Sequence, residues 1–321
     1  MAHMKRISRM LCLLLAAVAI LLTGCQKEED FSLKKELAFS VPGTVTGKLN
    51  PFFASEAGDL AALSMMTDRF LSSDGIAETS ESIDADGNLA VTVTIRENIY
   101  CWDKSELFSG DFMYAVQFVC DPSYNGPYTA LAKSSLVGLS DFRSGKSTTL
   151  AGLEKVDAHT CRVLFSDPNE DYHTLLDLPA VRSANYGGYT YGNCAEADVV
   201  AKYAKVIGTG AWYVNNLIPS DGKIINFKPS EHYRAGNITA KKATLRCVKE
   251  EDVGLNIQLG QLTLGFLYDK ELAQAQAEKY GLAVFFLQDG AFLCAKDAPY
   301  FSAATEEDTI LQALVAISAA C

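Results

Sequence analysis

Hydrophobic and polar residues alternate along much of the chain with the periods of short strands and short helices. Residues 89–95 show the clearest strand pattern. Val91, Val93 and Ile95 fall on one face and threonines on the other, as in a half-buried strand. Two further strands are predicted within residues 153–165, on either side of a short turn. The remaining segments with strand character are residues 36–41, 211–214, 223–227, 242–249 and 282–287.

Helical periodicity is confined to four other segments, which are residues 60–70, 110–119, 271–280 and 305–320. Ser109 is positioned to cap the second of these helices, and Asp111 lies in its positive first turn. Gly281 ends the third helix. Residues 43–51 are rich in Gly and Pro and read as a loop. Strands and helices thus alternate with no dominant class, which predicts an α/β or mixed α+β architecture.

The first 24 residues have the pattern of a secretory signal peptide. Three basic residues precede an apolar run at residues 10–22, which is too short to span a bilayer. The sequence Leu-Thr-Gly-Cys that ends at Cys25 resembles a bacterial lipobox, whose cysteine receives two acyl chains and a stable anchor. We therefore expect a signal peptide at residues 1–24, lipidation at Cys25 and a solvated tether at residues 25–35. The alternative is an ordinary secretory signal with a cysteine at its cleavage site.

Composition and charge narrow the classes of partner. The 321 residues are 49% hydrophobic and 21% charged, which is ordinary for a globular protein. The net charge of -11 argues against nucleic-acid binding, because phosphate contacts need clustered Lys and Arg. Nine cysteines include one in the signal segment and Cys25, so seven remain. Their odd number and wide spacing indicate neither a disulfide framework nor a zinc site, and several are expected to be buried as small hydrophobic residues.

Candidate catalytic motifs are incomplete. Residues 145–148 (Gly-Lys-Ser-Thr) imitate the end of a phosphate-binding loop, but Ser140 stands where that motif needs a glycine. Residues 208–210 (Gly-Thr-Gly) lack the third glycine of a dinucleotide loop. The histidines are scattered, and no Gly-x-Ser-x-Gly nucleophile motif occurs. We therefore expect no enzyme activity, no cofactor and no metal site.

A series of short motifs carries the most informative signal. They lie at residues 49–52, 95–102, 109–115, 121–122, 127–128, 156–160, 208–212 and 258–260, with a further motif tyrosine at Tyr233. In order and spacing they resemble the peptide- and nickel-binding family of ABC-transporter solute-binding proteins, which includes oligopeptide- and dipeptide-binding proteins. Some positions depart from the family pattern. Asn98 and Lys104 replace glycines, Ala211 replaces a proline, and the acidic residue expected after Gly260 is missing.

The resemblance implies a periplasmic-binding-protein-like fold of two lobes. Residues 36–266 correspond to the first lobe, and residues 267–321 correspond to the start of the second. Most of the second lobe is then missing, so that the chain resembles a truncated member of the family. The apolar face of the helix predicted at residues 305–320 would have to fold back on the first lobe, pair with another molecule or stay partly disordered.

The resemblance also implies a function and a site. A family member would be an extracytoplasmic lipoprotein, anchored to the membrane on the periplasmic or cell-surface side, that binds peptides or similar small solutes for an ABC permease. Thr46, Gly47, Lys48 and Tyr128 would lie near the ligand. With one lobe, peptide binding is expected to be weak, because ligand sites normally enclose most of the ligand. The alternative is a truncated or repurposed surface lipoprotein that binds another protein and has no transport function.

Overall fold

Two β-sheets organise the described part of this computed structural model, namely residues 36–73, 75–199, 206–214, 224–236 and 238–320. The strands are β1 (Glu36–Ser40), β2 (Ala77–Ile83), β3 (Leu89–Ile95), β4 (Leu153–Lys155), β5 (Thr160–Phe165), β6 (Trp212–Tyr213), β7 (Ile224–Pro229), β8 (Lys242–Arg246), β9 (Leu264–Leu267), β10 (Ala283–Phe286) and β11 (Ala291–Cys294). The predicted signal peptide, the lipidation site at Cys25 and the tether lie outside the described residues.

The helices between the strands are mostly short. They are α1 (Ala57–Met66), α2 (Ser109–Cys120), α3 (Leu139–Arg143), α4 (Tyr172–Leu176), α5 (Glu196–Val199), α6 (Val253–Gln258), α7 (Lys270–Tyr280) and α8 (Ile310–Ala320). Short 3₁₀ helices lie at Leu131–Lys133, Ser183–Tyr186, Glu250–Asp252 and Pro299–Ser302. Within the described ranges, no helix combines the length and apolar character needed to cross a bilayer.

The larger sheet has seven strands among the described residues, in the order β10-β11-β9-β1-β8-β7-β6. β1 lies near its centre and runs parallel to β8 and β9, and the other neighbours are antiparallel. Phe39 of β1 is fully buried and stacks near Phe227 of β7. The strands predicted at residues 211–214 and 223–227 correspond to β6 and β7, which pair antiparallel with Trp212 opposite Pro229.

The smaller sheet is antiparallel, with four strands in the order β2-β3-β5-β4 within the described residues. Val91, Val93 and Ile95 of β3 are buried, whereas the threonines between them are half-buried, as the alternating pattern predicts. They pack in one apolar cluster with Phe112 and Phe118 of α2. The two strands predicted within residues 153–165 are also confirmed, because β4 pairs with β5.

The start of α2 differs from the prediction. Ser109 does not cap the helix; it is the first helical residue, and its hydroxyl donates to the carbonyl groups of Asp157 and Ala158. The capping position is Phe108, whose N–H donates to the Asp111 carboxylate at 2.9 Å. The Asp111 carboxylate in the first turn therefore satisfies a backbone N–H at the helix start, and Ser109 connects the start of the helix to the β4–β5 turn.

The described part of residues 267–321, which the resemblance assigns to the start of a second lobe, packs on the same body as β1. β10 and β11 extend the larger sheet, and α8 lies against α1. Leu314 and Ile317 of α8 are fully buried, and the indole N–H of Trp212 donates to the Ser318 carbonyl at 3.3 Å. Of the three outcomes expected for this helix, the structure shows the one in which it folds back.

Candidate ligand site

The loop that follows β1 is held by one buried carboxylate of α1. Asp59 accepts hydrogen bonds from the N–H of Thr46 at 2.9 Å, from the N–H of Gly47 at 3.1 Å and from the Thr46 hydroxyl. The loop can approach α1 because Gly58 has no side chain. A Cβ added there would lie 2.6 Å from the Thr44 carbonyl oxygen. The loop is therefore fixed in position, and two of its N–H groups are already bonded.

A cavity of about 410 Å³ lies beside this loop. Thr46 and Lys48 line it from one side, and Asn125 and Pro127 line it from the other. The Lys48 ammonium bonds the Glu196 carboxylate across the cavity at 3.1 Å. Because the lysine side chain is 62% exposed, this ion pair contributes little to stability. It is a contact that solvent or a ligand can displace.

A second cavity is larger, with a volume of about 1110 Å³, and Arg69 lies on its surface. Arg69 donates to the Asp177 carboxylate at 2.7 Å and to the Tyr128 hydroxyl at 3.2 Å, and its guanidinium lies 5.6 Å from the centre of the Tyr128 ring. The N–H groups of Leu71 and Ser72 also donate to Asp177. Burial alone would raise the pKa of Asp177, but the Arg69 charge and these hydrogen bonds hold it below its ordinary value. The pair is therefore ionised at neutral pH.

A second ion pair on the same cavity is more deeply buried. The side chains of Asp68 and Arg234 are 5% and 17% exposed, and a guanidinium nitrogen donates to the Asp68 carboxylate. The Arg234 guanidinium also lies over the Tyr233 ring, 5.1 Å from its centre. Burial raises the pKa of Asp68 above its ordinary value, although attraction to Arg234 opposes this shift. Attraction to Arg234 thus favours the charged form of a carboxylate whose burial disfavours it.

Two glycines allow the close backbone contact behind this ion pair. A Cβ on Gly208 would lie 2.3 Å from the Met66 carbonyl oxygen, and one on Gly210 would lie 2.4 Å from the Met65 carbonyl oxygen. The Gly210 N–H donates to the Met66 carbonyl at 3.0 Å. The Gly-Thr-Gly sequence therefore packs against the end of α1, and the threonine hydroxyl accepts the backbone N–H of Asp68.

Replacing Gly210 by alanine should destabilise the protein by about 1–3 kcal/mol, because the new methyl group overlaps the Met65 carbonyl and forces the backbone to move. Urea unfolding of the purified protein measures this change. Gly110→Ala is the matched control, since its Cβ would meet nothing within 4 Å in α2. There alanine should stabilise the helix slightly. Equal stabilities for the two variants would contradict the close contact.

The part of the larger cavity's wall that α8 and α1 form is mostly apolar. Leu311, Val315 and Ala316 of α8 line one side, and Leu60 and Leu63 of α1 lie next to them. An apolar wall facing a small number of fixed polar groups is the usual construction of a small-molecule site. The cavity can therefore enclose a ligand that has an apolar body and a few hydrogen-bonding groups.

Comparison with known proteins decides the family. Residues 74–292, more than half of the chain, match the family described as bacterial extracellular solute-binding proteins, family 5 Middle. The chain belongs to this family. The predicted resemblance to peptide- and nickel-binding solute-binding proteins is thereby confirmed, and this match spans β2 to β11, including most of both sheets.

A sequence relative agrees with this assignment. The periplasmic oligopeptide-binding protein OppA of Salmonella typhimurium is 26% identical to this family 5 chain over 160 residues. The matched stretch covers 49% of this chain and 28% of OppA. The chain therefore spans less than a third of that relative's length in the match.

Several solved structures share the fold. The pheromone receptor PrgZ, described with its mode of peptide binding, superposes with a TM-score of 0.62 at 20% identity, covering 79% of this chain and 51% of PrgZ. The murein tripeptide binding protein MppA of Escherichia coli gives 0.60 at 18% identity, covering 78% of this chain and 50% of MppA. The predicted mixed α/β, periplasmic-binding-protein-like fold is confirmed, and the chain spans about half the length of these proteins.

The site residues expected from the family resemblance lie in two places. Thr46 and Lys48 line the smaller cavity, and Tyr128 lines the larger one. Gly47 lies in the same loop as Thr46, with its N–H bonded to Asp59. The structure does not bring the four residues into a single cavity, and their contact with a ligand stays a prediction.

The sequence pattern did not indicate the two ion pairs of the larger cavity. Arg69 and Asp177 are far apart in the chain, as are Asp68 and Arg234, so neither pair has a local spacing that a motif could reveal. The nearest signal was Tyr233, which stands at the tyrosine of a family motif and directly precedes Arg234.

Proposed function

We propose that this chain is the solute-binding component of an ABC importer and that it binds peptides or similar small solutes in the larger cavity. The observation that carries the proposal is this cavity of about 1110 Å³ in a chain of the solute-binding family. Its volume slightly exceeds the usual range for small-molecule sites, about 300–1000 Å³. OppA, named for oligopeptide binding, is the relative that supports a peptide as the solute.

The larger cavity offers both kinds of contact that a short peptide needs. Tyr128 presents a ring and a hydroxyl, and its neighbour Arg69 is held rigidly by Asp177. The α8 wall provides apolar surface for side chains. The homologues are solute-binding proteins, which supports a binding role without catalytic turnover.

Filling the larger cavity should abolish solute retention. Ser64 is half-buried on its surface, so Ser64→Trp places an indole where the solute would lie. The control is Ser55→Trp, which is exposed and lines the smaller cavity. Native mass spectrometry of each protein after incubation with a mixed short-peptide library gives the bound fraction. We expect retention by the wild type and by Ser55→Trp, with loss in Ser64→Trp. No peptide on the wild type, or loss only in Ser55→Trp, would overturn the proposal.

We propose further that the protein is held on the extracytoplasmic face of the membrane by acyl chains on Cys25. The motivation is the short apolar run followed by Leu-Thr-Gly-Cys at the end of the signal-like segment.

Cys25→Ala should move the protein from the membrane pellet to the soluble fraction of expressing cells, because the acyl anchor is lost. Cys12→Ala, within the apolar run, is the matched control and should pellet as the wild type does. Immunoblots of fractionated cells measure the distribution. A Cys25→Ala variant that still pellets fully would contradict the lipid anchor.

A further inference from the structure

The positive charges on the larger cavity are neutralised within the protein. Arg69 and Arg234 are each paired with the carboxylate described above. The third arginine on the cavity surface, Arg96, bonds Glu78 at 2.9 Å. Among the described residues that line the cavity, each arginine is thus in an ion pair. A ligand that brings a negative charge must therefore share a cation that already has a partner.

The remaining charge on the lining has the same sign as such a ligand. Glu97 lines the cavity and is exposed to solvent. Enclosing a second carboxylate near it costs desolvation without a compensating partner. The electrostatics of the cavity therefore disfavour acidic ligands.

The helix α8 is apolar on two faces. Leu314 and Ile317 are fully buried in the core that contains α1. Leu311 and Val315, one turn apart, form a second face that is half-buried and lines the cavity. A helix at a protein surface needs only one apolar face, so a second one marks a surface that gains from being covered. Here that surface lies inside the cavity.

We propose that the cavity selects peptides with uncharged, apolar side chains, and that Leu311 and Val315 set this preference. This inference rests on the proposed function, and it names the class of solute. Apolar side chains gain free energy by covering the α8 face, whereas acidic side chains lose hydration and meet only arginines that already have a carboxylate partner.

Two capped peptides test the preference, because capping removes the terminal charges. One is acetyl-Ala-Leu-Leu-Ala-amide and the other is acetyl-Ala-Asp-Asp-Ala-amide. Calorimetry with the wild-type protein should give binding of the leucine peptide that is tighter by about tenfold or more, since burying unpaired charge is costly. This comparison needs no variant and so does not depend on how a substitution folds.

A charge placed on the wall should reverse the preference. Val315→Lys adds a cation inside the cavity, and we expect it to weaken the leucine peptide and strengthen the aspartate peptide. Ala320→Lys adds the same charge to an exposed position of the same helix outside the cavity lining, and should leave both affinities unchanged. Circular dichroism checks that each variant is folded.

The outcomes separate this inference from the proposed function. If the wild type binds both peptides equally, or the aspartate peptide better, the apolar preference is overturned while peptide binding stands. If folded Val315→Lys binds as the wild type does, the role of α8 is overturned. If the wild type binds no peptide of any composition, the proposed function fails and this inference falls with it.

Discussion

Replacing Arg234 by methionine should destabilise the protein by about 3–5 kcal/mol at neutral pH, because a buried carboxylate loses its partner. Asp68 is only 5% exposed in its side chain and pairs with Arg234 on the surface of the larger cavity. Methionine keeps much of the apolar length of arginine, so the loss is mainly that of the charge. Arg96→Met is the control. Its ion pair with Glu78 is half-exposed and should be worth less than about 1 kcal/mol.

The loss in free energy of unfolding that Arg234→Met causes relative to wild type should shrink as the pH falls. The folded-state pKa of Asp68 is already raised by burial, and it rises further without Arg234. The folded protein then binds the proton more tightly than the unfolded chain, so this carboxyl lowers stability above its folded pKa. The penalty disappears as the pH drops from that value towards the unfolded value of about 3.9.

Urea unfolding of Arg234→Met at pH 7 and at pH 4.5, each compared with wild type, measures this dependence. A second variant, Arg234→Met with Asp68→Asn, removes the unpaired charge and should recover part of the stability at pH 7. A deficit that is the same at both pH values, or that the second substitution does not reduce, would show that lost charge pairing is not the cause.

Replacing Asp111 by alanine should cost about 3–5 kcal/mol, comparable with breaking a buried ion pair. The carboxylate is 3% exposed and accepts from the Phe108 N–H, the Ser183 N–H, the Ser183 hydroxyl and the Arg182 guanidinium, all within 2.9 Å. It joins the start of α2 to the segment at Ser183–Tyr186. Without it, the Phe108 N–H, the two Ser183 donors and the Arg182 cation lose their shared acceptor.

The matched control for Asp111→Ala is Asp103→Ala. Asp103 is exposed and accepts from the N–H and the hydroxyl of Ser105 in its own turn, so its loss should cost less than about 1 kcal/mol. Thermal and urea unfolding of both variants give the two free energies of unfolding. Comparable small losses would show that the donors around Asp111 find other partners when it is removed.

Sequence patterns predicted the elements in which burial follows a clear period. β3 and α2 are examples, since each buries one face. β2 was missed because its residues, Ala77–Ile83, are mostly exposed and polar on both faces, so no alternation marks it. β9 and β11 were missed for the opposite reason. Each is a run of four buried residues, which has no period and cannot be distinguished from a buried helix segment.

Helix ends were less accurate than helix positions. The pattern placed the first helix at residues 60–70, whereas α1 spans Ala57–Met66. Its start was hidden by Gly58 and Asp59, which look like loop residues. Both are there for tertiary reasons, because Gly58 admits the preceding loop and Asp59 accepts its hydrogen bonds. A sequence pattern reflects local preference, whereas these two residues are explained by contacts with the loop that packs against the helix.

The candidate site depended even more on contacts between distant segments. The resemblance to the family placed Tyr128 near the ligand, and the structure puts it on the larger cavity. The wall formed by Leu311 and Val315 follows from how α8 folds back, which no pattern within the helix could indicate. The chemistry of the cavity is therefore a property of the assembled fold.

The central position of β1 has a consequence for how the protein is made. This strand begins at Glu36, yet its two neighbours begin at Lys242 and Leu264, so most of the chain must be synthesised before it can pair. Contacts between such distant residues slow folding, because the entropy cost of closing a long loop is met before the strand pairing can stabilise the chain. The larger sheet should therefore form late. The smaller sheet can form earlier, because the last of its strands along the chain ends at Phe165. Newly made protein will spend an extended period with its first strand unpaired, which is the interval when a chaperone has access to it.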